Sequence, residues 1–258
     1  ELAENLCHRG IAVTVVEFAP HVITALDTEM ANLVQKELRE HGITLRLGCG
    51  VTAVEKTSSG LHLKLTEGEM DTQMVLLCAG VVPNSKLAKD AGLELGVRGC
   101  IAVNDKMQTS DPDIYAVGDA VEVTEFVTGQ KRHIALAGPA NRQGRIAADQ
   151  IAGIDSRYKN TQGSSITKVF DLAVACTGIT EATAMACNMD VDKIYLSSGA
   201  HAGYYPGAKP LTAKILFERT TGKILGGQFI GAEGADKRCD VLAVAIRAGM
   251  DDQQLTEP

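Results

Sequence analysis

Thr109-Ser110-Asp111-Pro112-Asp113-Ile114-Tyr115-Ala116-Val117-Gly118-Asp119 is the stretch on which the fold turns. Its first half is turn chemistry, because Ser, Asp and Pro either bond to the local backbone or restrict it. Ile114 to Val117 is a short apolar run without alternation, which predicts a strand buried on both faces of a parallel sheet. Gly118 ends the run and leaves room for a ligand to approach the main chain. Asp119 then falls at the carboxyl end of the strand, the edge at which open α/β sheets bind ligands. A carboxylate there suits the hydroxyls of a ribitol or ribose; the competing reading is a helix N-cap aspartate.

Upstream the order is that of a nucleotide-binding unit. Glu1 to Leu6 has helical spacing, and Arg9-Gly10 supplies a basic last turn and a stop. With no initiating Met and no cap signal, this first helix is expected to be cut and the chain to be a fragment. Ile11 to Val16 predicts a buried strand ended by Glu17, Asp27 caps a helix running to about His41, and Ile43 to Leu47 is the next strand. Helix, strand, helix, strand is the body of a βαβ unit. At the end of its strand, Glu17 suits both ribose hydroxyls of an adenosine and repels a 2′-phosphate, which selects NADH over NADPH; the alternative is a solvated glutamate at a loop entry. The alternation then breaks. Val51–Lys56, Leu61–Thr66 and Gln73–Cys78 predict an antiparallel meander, followed by a last strand ending at Ala79-Gly80 and a short helix from Lys86 to Ala91.

Downstream, Leu136-Ala137-Gly138-Pro139-Ala140-Asn141-Arg142-Gln143-Gly144-Arg145 is a small-residue turn entering a helix predicted from Pro139 to Ile151. Its free N–H groups and positive dipole end favour a negative partner such as the pyrimidine edge of a reduced flavin; plain close packing by small residues is the alternative. Residues 152–165 are rich in Gly, Ser, Asn and Gln and predict a linker. The last hundred residues predict an independent α+β block with strands near 167–175, 193–198, 211–218 and 224–230 and a closing helix from Asp236 to Ala248. Within it, Gly203-Tyr204-Tyr205-Pro206-Gly207 holds two phenols in a turn, where they either serve a thiolate or pack with wet hydroxyls.

Composition narrows the class. A net charge of −7 excludes non-specific nucleic-acid binding, and no apolar run reaches the roughly 20 residues of a membrane helix. No signal peptide is visible, so the chain is expected to be cytoplasmic. Seven cysteines lie scattered without a CxxC pair, a poor disulfide framework and a poor zinc site; they are expected to be structural. No metal site, nucleophile elbow or P-loop is present in the sequence.

Together these segments resemble the flavoprotein pyridine nucleotide-disulfide oxidoreductases. The narrower likeness is to the branch of coenzyme A-disulfide reductases, coenzyme A-persulfide reductases and NADH oxidases. Thr109 to Asp119 is similar to the family's second FAD motif, in which the final Asp holds the ribitol. Ala79-Gly80-Val81-Val82-Pro83-Asn84 resembles the junction motif of the two nucleotide domains. Glu1 stands where the acidic residue after the nicotinamide glycine fingerprint falls. His201 to Gly207 and Gly231 to Arg238 look like the dimerisation domain of the coenzyme A-disulfide reductases.

The resemblance implies an α/β fold: an NAD-binding domain with an antiparallel meander (1–95, without its glycine fingerprint), the C-terminal part of an FAD-binding domain (96–153), and an α+β dimerisation domain (160–258). The cofactors it implies are FAD and NADH, bound through Glu1, Glu17, Gly80, Thr109, Gly118, Asp119, Ala137 and Asn141. Tyr204 would serve as a catalytic residue reaching the partner's active site in a homodimer, and the substrate would be a small thiol or disulfide of coenzyme A type. The expected activity is hydride passage from NADH through flavin to that substrate. Two other readings are an NADH oxidase reducing oxygen and an inactive module that only binds nucleotide and dimerises. The first FAD motif and the redox cysteine would lie ahead of Glu1, and a second active-site tyrosine beyond Pro258, so the chain alone is not expected to turn over.

Overall fold

The computed structural model describes residues 1–257. The backbone gathers into two compact units, one formed by Glu1–Cys78 with the residues from Ser164 onward, the other by Ala79–Gly163.

The first unit begins with α1 (Leu2–His8), β1 (Thr14–Glu17), α2 (Thr28–Glu40) and β2 (Thr44–Leu47). β1 and β2 pair in parallel, with Thr14 opposite Thr44, as a βαβ body requires. α2 is amphipathic and buries Met30, Ala31, Val34 and Leu38. These meet Val22, Leu26 and Ile43, together with Phe170, Val174 and Ile230 from the rear of the chain. Each such large side chain contributes about 1.5–3 kcal/mol by leaving water.

The meander follows as β3 (Val51–Lys56), β4 (Leu61–Leu65) and β5 (Glu69–Thr72), all antiparallel. Here the third strand differs from expectation. β5 alternates exposed Glu69 and Asp71 with half-buried Met70 and Thr72, so a polar edge strand takes the ladder. The apolar 73–78 run forms no strand, and Leu77 is largely exposed.

The second unit holds α3 (Lys86–Asp90), a short hairpin of β6 (Val123–Thr124) and β7 (Lys131–Arg132), and α4 (Ala137–Ile151). Its cores are Ala88, Ile101, Val121 and Val123, and Met107 with Ile146 and Ala147 on α4. Expectation fails here too. Residues 114–117 are not a buried strand: Tyr115 makes one bridge, to Gln108, and Ile114 and Val117 are exposed. A central buried strand needs ladder partners on both edges, and the described residues supply only the Gln108 bridge. The strand expected at 101–103 is likewise reduced to single bridges from Ile101 to Leu95 and Val121, and the one ending at Ala79-Gly80 is absent.

The rest of the first unit is β8 (Ser165–Val169), β9 (Leu172–Gly178), α5 (Glu181–Ala186), β10 (Val191–Gly199), β11 (Pro210–Glu218), β12 (Ile224–Gly231), α6 (Ala235–Ala248) and α7 (Asp252–Thr256). Five strands form one antiparallel sheet in the order β10-β11-β12-β9-β8, with α6 packed on β12 and β9. Gly227 makes that approach close, since a Cβ there would stand 2.2 Å from the Leu242 side chain. The single strand expected at 167–175 is a hairpin. Val169 pairs with Leu172 across a two-residue turn in which Phe170 adopts φ 48°, the left-handed geometry of tight hairpins. The Phe170 ring is buried and stacks on His41 at 3.9 Å, so contact with α2's end holds a conformation that a phenylalanine otherwise avoids. This sheet is therefore not independent of the front segment; it shares a core with α2.

Candidate functional site

In the second unit an open groove of about 710 Å3 is lined by Asp119, Leu136, Ala137, Ala140, Asn141 and Arg145, among others. Two elements build it. Gly118, at φ 82°, begins a single 3-10 turn, Gly118–Ala120. Its N–H donates to the Oε1 of Gln143 at 2.7 Å, and Gln143 is 1% exposed on α4. That part-buried bond fixes the Gly118-Asp119 corner against the helix.

Asp119 is exposed, and its carboxylate has no hydrogen-bond or ion-pair partner among the described residues. Its carbonyl accepts a bond from His133 Nε2 at 2.8 Å, so that nitrogen carries the proton. The corner is thus held by its main chain while the side chain is left unpartnered. On the opposite wall, α4 starts at Ala137, and its N-cap residue Leu136 provides no side-chain cap. Pro139 has no N–H, and the N–H groups of Ala137 and Gly138 meet no acceptor among the described residues. These orphan donors, the positive end of the dipole and the Arg145 guanidinium make this wall attractive to an anion. Asn141 spends its Nδ2 on the Ala137 carbonyl at 2.9 Å, which leaves its Oδ1 as an acceptor.

Of the expected cofactor residues, the structure brings Asp119, Ala137 and Asn141 into this groove, with Gly118 shaping its corner. Gly80, also at positive φ (85°), and Thr109 belong to the same unit but do not line the groove. The Thr109 Oγ1 accepts the Asp111 N–H at 3.2 Å and donates to the Asp111 carbonyl at 3.1 Å, closing the turn before residue 114. Gln143 and Arg145 lie in the segment the sequence marks out, but their individual parts come only from three-dimensional proximity, since Gln143 acts 25 residues from its partner.

In the first unit, Glu17 sits at the carboxyl end of β1 and accepts the Ala19 N–H at 2.8 Å. One oxygen thus turns the following loop. Glu1 precedes α1 and offers its carbonyl, not its carboxylate, to Asn5. Tyr204 is 85% exposed in the connection between β10 and β11, with its ring 5.1 Å from that of Tyr205.

The cysteines mostly follow expectation. Cys49, Cys100 and Cys239 are buried, and Cys78 alone is exposed. Burial pushes the Cys239 thiol up to about 12 and also raises Cys100 and Cys176, so all three behave as inert apolar groups. Among the described residues, the acidic trio Asp27, Glu29 and Glu181 has metal-like spacing, but the Lys214 ammonium occupies its centre.

A nucleotide-type βαβ body, a groove with an unpaired carboxylate and an uncapped helix, and an antiparallel sheet with its own helices make up the framework of a nucleotide-binding protein. Residues 1–144 match the pyridine nucleotide-disulphide oxidoreductase family, and residues 164–257 match that family's dimerisation domain. The chain belongs to the pyridine nucleotide-disulphide oxidoreductases. It is 38% identical over 251 residues to an NADH oxidase of Methanocaldococcus jannaschii, covering 95% of this chain and 55% of that protein. It is 33% identical to a coenzyme A disulfide reductase of Staphylococcus epidermidis, covering 100% of this chain and 58% of the other. The reduced CoADR-RHD of Bacillus anthracis superposes with a TM-score of 0.93 at 48% identity, over 97% of this chain and 45% of that one. The chain spans about half the length of the curated relatives it matches. The mixed α/β fold implied by the sequence resemblance is that of this family. Among the described residues, no helix is long and apolar enough to cross a membrane.

Proposed function

We propose that this chain is the part of a cytoplasmic, homodimeric flavoprotein that selects NADH, holds the sugar chain of FAD and pairs subunits, in an enzyme that reduces a coenzyme A disulfide, persulfide or related thiol substrate. The observation that carries the reading is the groove between Asp119 and the start of α4, with an unpaired carboxylate on one wall and orphan N–H donors on the other.

FAD fits these residues. Asp119 accepts hydrogen bonds from polyol hydroxyls, the Ala137 and Gly138 N–H groups face a negative edge, and the side-chain-poor face of Ala137, Ala140 and Gly144 admits a flat ring. When bound, the flavin supplies the electron transfer between nicotinamide and disulfide, and the protein supplies placement. Glu17 receives the ribose hydroxyls of NADH and repels a 2′-phosphate. Tyr204 offers its phenol to a leaving thiolate across the subunit interface. Residues 1–95, 96–153 and 160–258 then divide the work as nucleotide, flavin and pairing segments.

The Methanocaldococcus relative favours a second reading, in which oxygen is the acceptor. NADH consumption by the enzyme containing this chain, measured with coenzyme A disulfide under nitrogen and then with oxygen alone, separates the two. For the groove itself, the purified chain is mixed with FAD and freed of excess. A retained flavin absorption band that Asp119→Ala loses supports the site. A colourless parent protein overturns it and leaves a nucleotide-binding and pairing module.

A further inference from the structure

The connection from Glu17 to α2 is fixed at both ends. At its near end Ala19 bonds to Glu17 and accepts the Gly48 N–H at 2.9 Å. Midway, the Val22 N–H donates to the buried Gln35 Oε1 at 3.2 Å. Ile23 next to it has φ 51°, a left-handed conformation costly for a β-branched side chain, which persists only where the surroundings over-determine it.

The far end is Asp27. It stands at the N-cap position of α2, yet its side chain makes no cap bond there. It turns instead to the rear sheet. Gln228 on β12 grips it twice, accepting the Asp27 N–H at 2.8 Å and donating to Asp27 Oδ2 at 2.6 Å. Lys214 on β11, 1% exposed, donates to Asp27 Oδ2 at 2.7 Å, to Glu29 Oε1 at 2.5 Å and to Glu181 Oε2 at 2.8 Å. Asp27 also accepts the Glu181 and Ala182 N–H groups at the start of α5. One cation thus joins the first turns of two helices to a strand.

An apolar contact would hold α2 as firmly, because burying ions costs desolvation that their attraction only partly returns. What directional bonds add is a fixed position along and around the helix axis. That position sets the end of the loop whose other end is Glu17.

We propose that Lys214 and Gln228 are positioning residues for nucleotide binding, fixing Asp27 so that the 18–26 loop presents Glu17 to the ribose of NADH. The inference rests on the assignment of Glu17 to the nucleotide, and it extends that assignment to two residues of the rear sheet that touch no ligand.

The test uses Lys214→Met and, because that change strands three carboxylates, the milder Gln228→Met. Two quantities are measured on protein that shows cooperative unfolding: hydrogen exchange of amides 18–26, with α6 as internal control, and NADH affinity by fluorescence titration. Faster exchange confined to the loop together with about tenfold weaker NADH binding is expected. A folded variant that keeps loop protection, or that loosens the loop with NADH affinity within about twofold of the parent, overturns the inference. Glu17→Ala is run alongside. If it leaves NADH affinity unchanged, the assignment of Glu17 itself falls, an outcome told apart because no rear-sheet residue is altered.

Discussion

Gln143 and Gly118 are joined by a part-buried hydrogen bond of 2.7 Å that ties the Gly118-Asp119 corner to α4. Gln143→Leu leaves the half-buried Gly118 N–H without its acceptor. The expected loss is about 1–3 kcal/mol of unfolding free energy. Urea titration of the variant checks it, and a loss under about half a kcal/mol would contradict it.

Asp119 behaves in the opposite way. Since its carboxylate has no partner among the described residues, Asp119→Ala should leave the midpoint of thermal unfolding without bound flavin nearly unchanged while flavin retention falls. A large drop in that midpoint would show that the carboxylate is structural.

Acid should loosen the link between α2 and the rear sheet. Burial alone would raise Glu29, but hydrogen bonds from Lys214 and Tyr195 outweigh it and hold the carboxyl at about 2, against an ordinary 4.5. Asp27 is also lowered, its desolvation outweighed by bonds from Lys214 and Gln228. A carboxyl depressed on folding adds stability that is complete above its unfolded value and vanishes as pH falls through the folded one. The Glu29 contribution should therefore disappear between about 4.5 and about 2. Lys214, which burial would lower but three carboxylates raise, has the opposite sign: its contribution is complete below 10.5 and is lost only at higher, strongly alkaline pH. Urea midpoints measured down to acid pH should fall less steeply for Glu29→Gln than for the parent; parallel curves would refute the link.

Phe170 fills the space between α1, α2 and the β8–β9 turn, 3% exposed. Phe170→Ala should cost about 3–5 kcal/mol. Phe170→Gly loses the same contacts but relieves the left-handed backbone, and should be no worse than Ala despite glycine's entropy. Chemical denaturation of the pair measures the difference.

Thiol labelling should find one fast site. Cys78 is exposed, whereas burial raises Cys100, Cys176 and Cys239. A maleimide at neutral pH should modify Cys78 first, and Cys78→Ser should remove the fast phase. Rapid loss of the Cys239 thiol in folded protein would contradict the packing.

What the sequence revealed follows from locality. The Gly-Asp corner, the helix starting near Pro139 and the strands around Leu211 and Ile224 are signalled by punctuation and apolar runs within a few residues. The β8–β9 turn is Phe170-Asp171, with no Gly or Asn to mark it, so two strands read as one. β5 was hidden because its exposed half is Glu and Asp. Lys214 resembles any outward position of an alternating strand; its burial depends on Asp27, Glu29 and Glu181, far off in sequence. The site was legible where one segment builds it and illegible where two must meet.

The pairing of Asp27 with Gln228 spans 201 positions, and this has a consequence for biosynthesis. At about 5–20 residues per second on the ribosome, α2 emerges roughly 10–40 s before the strand that receives it. Throughout that interval Met30, Val34 and Leu38 have no rear sheet to cover them, and a whole second unit is made in between. A nascent chain of this kind is a natural client for a holding chaperone, and translation slowed after residue 40 would lengthen its exposure.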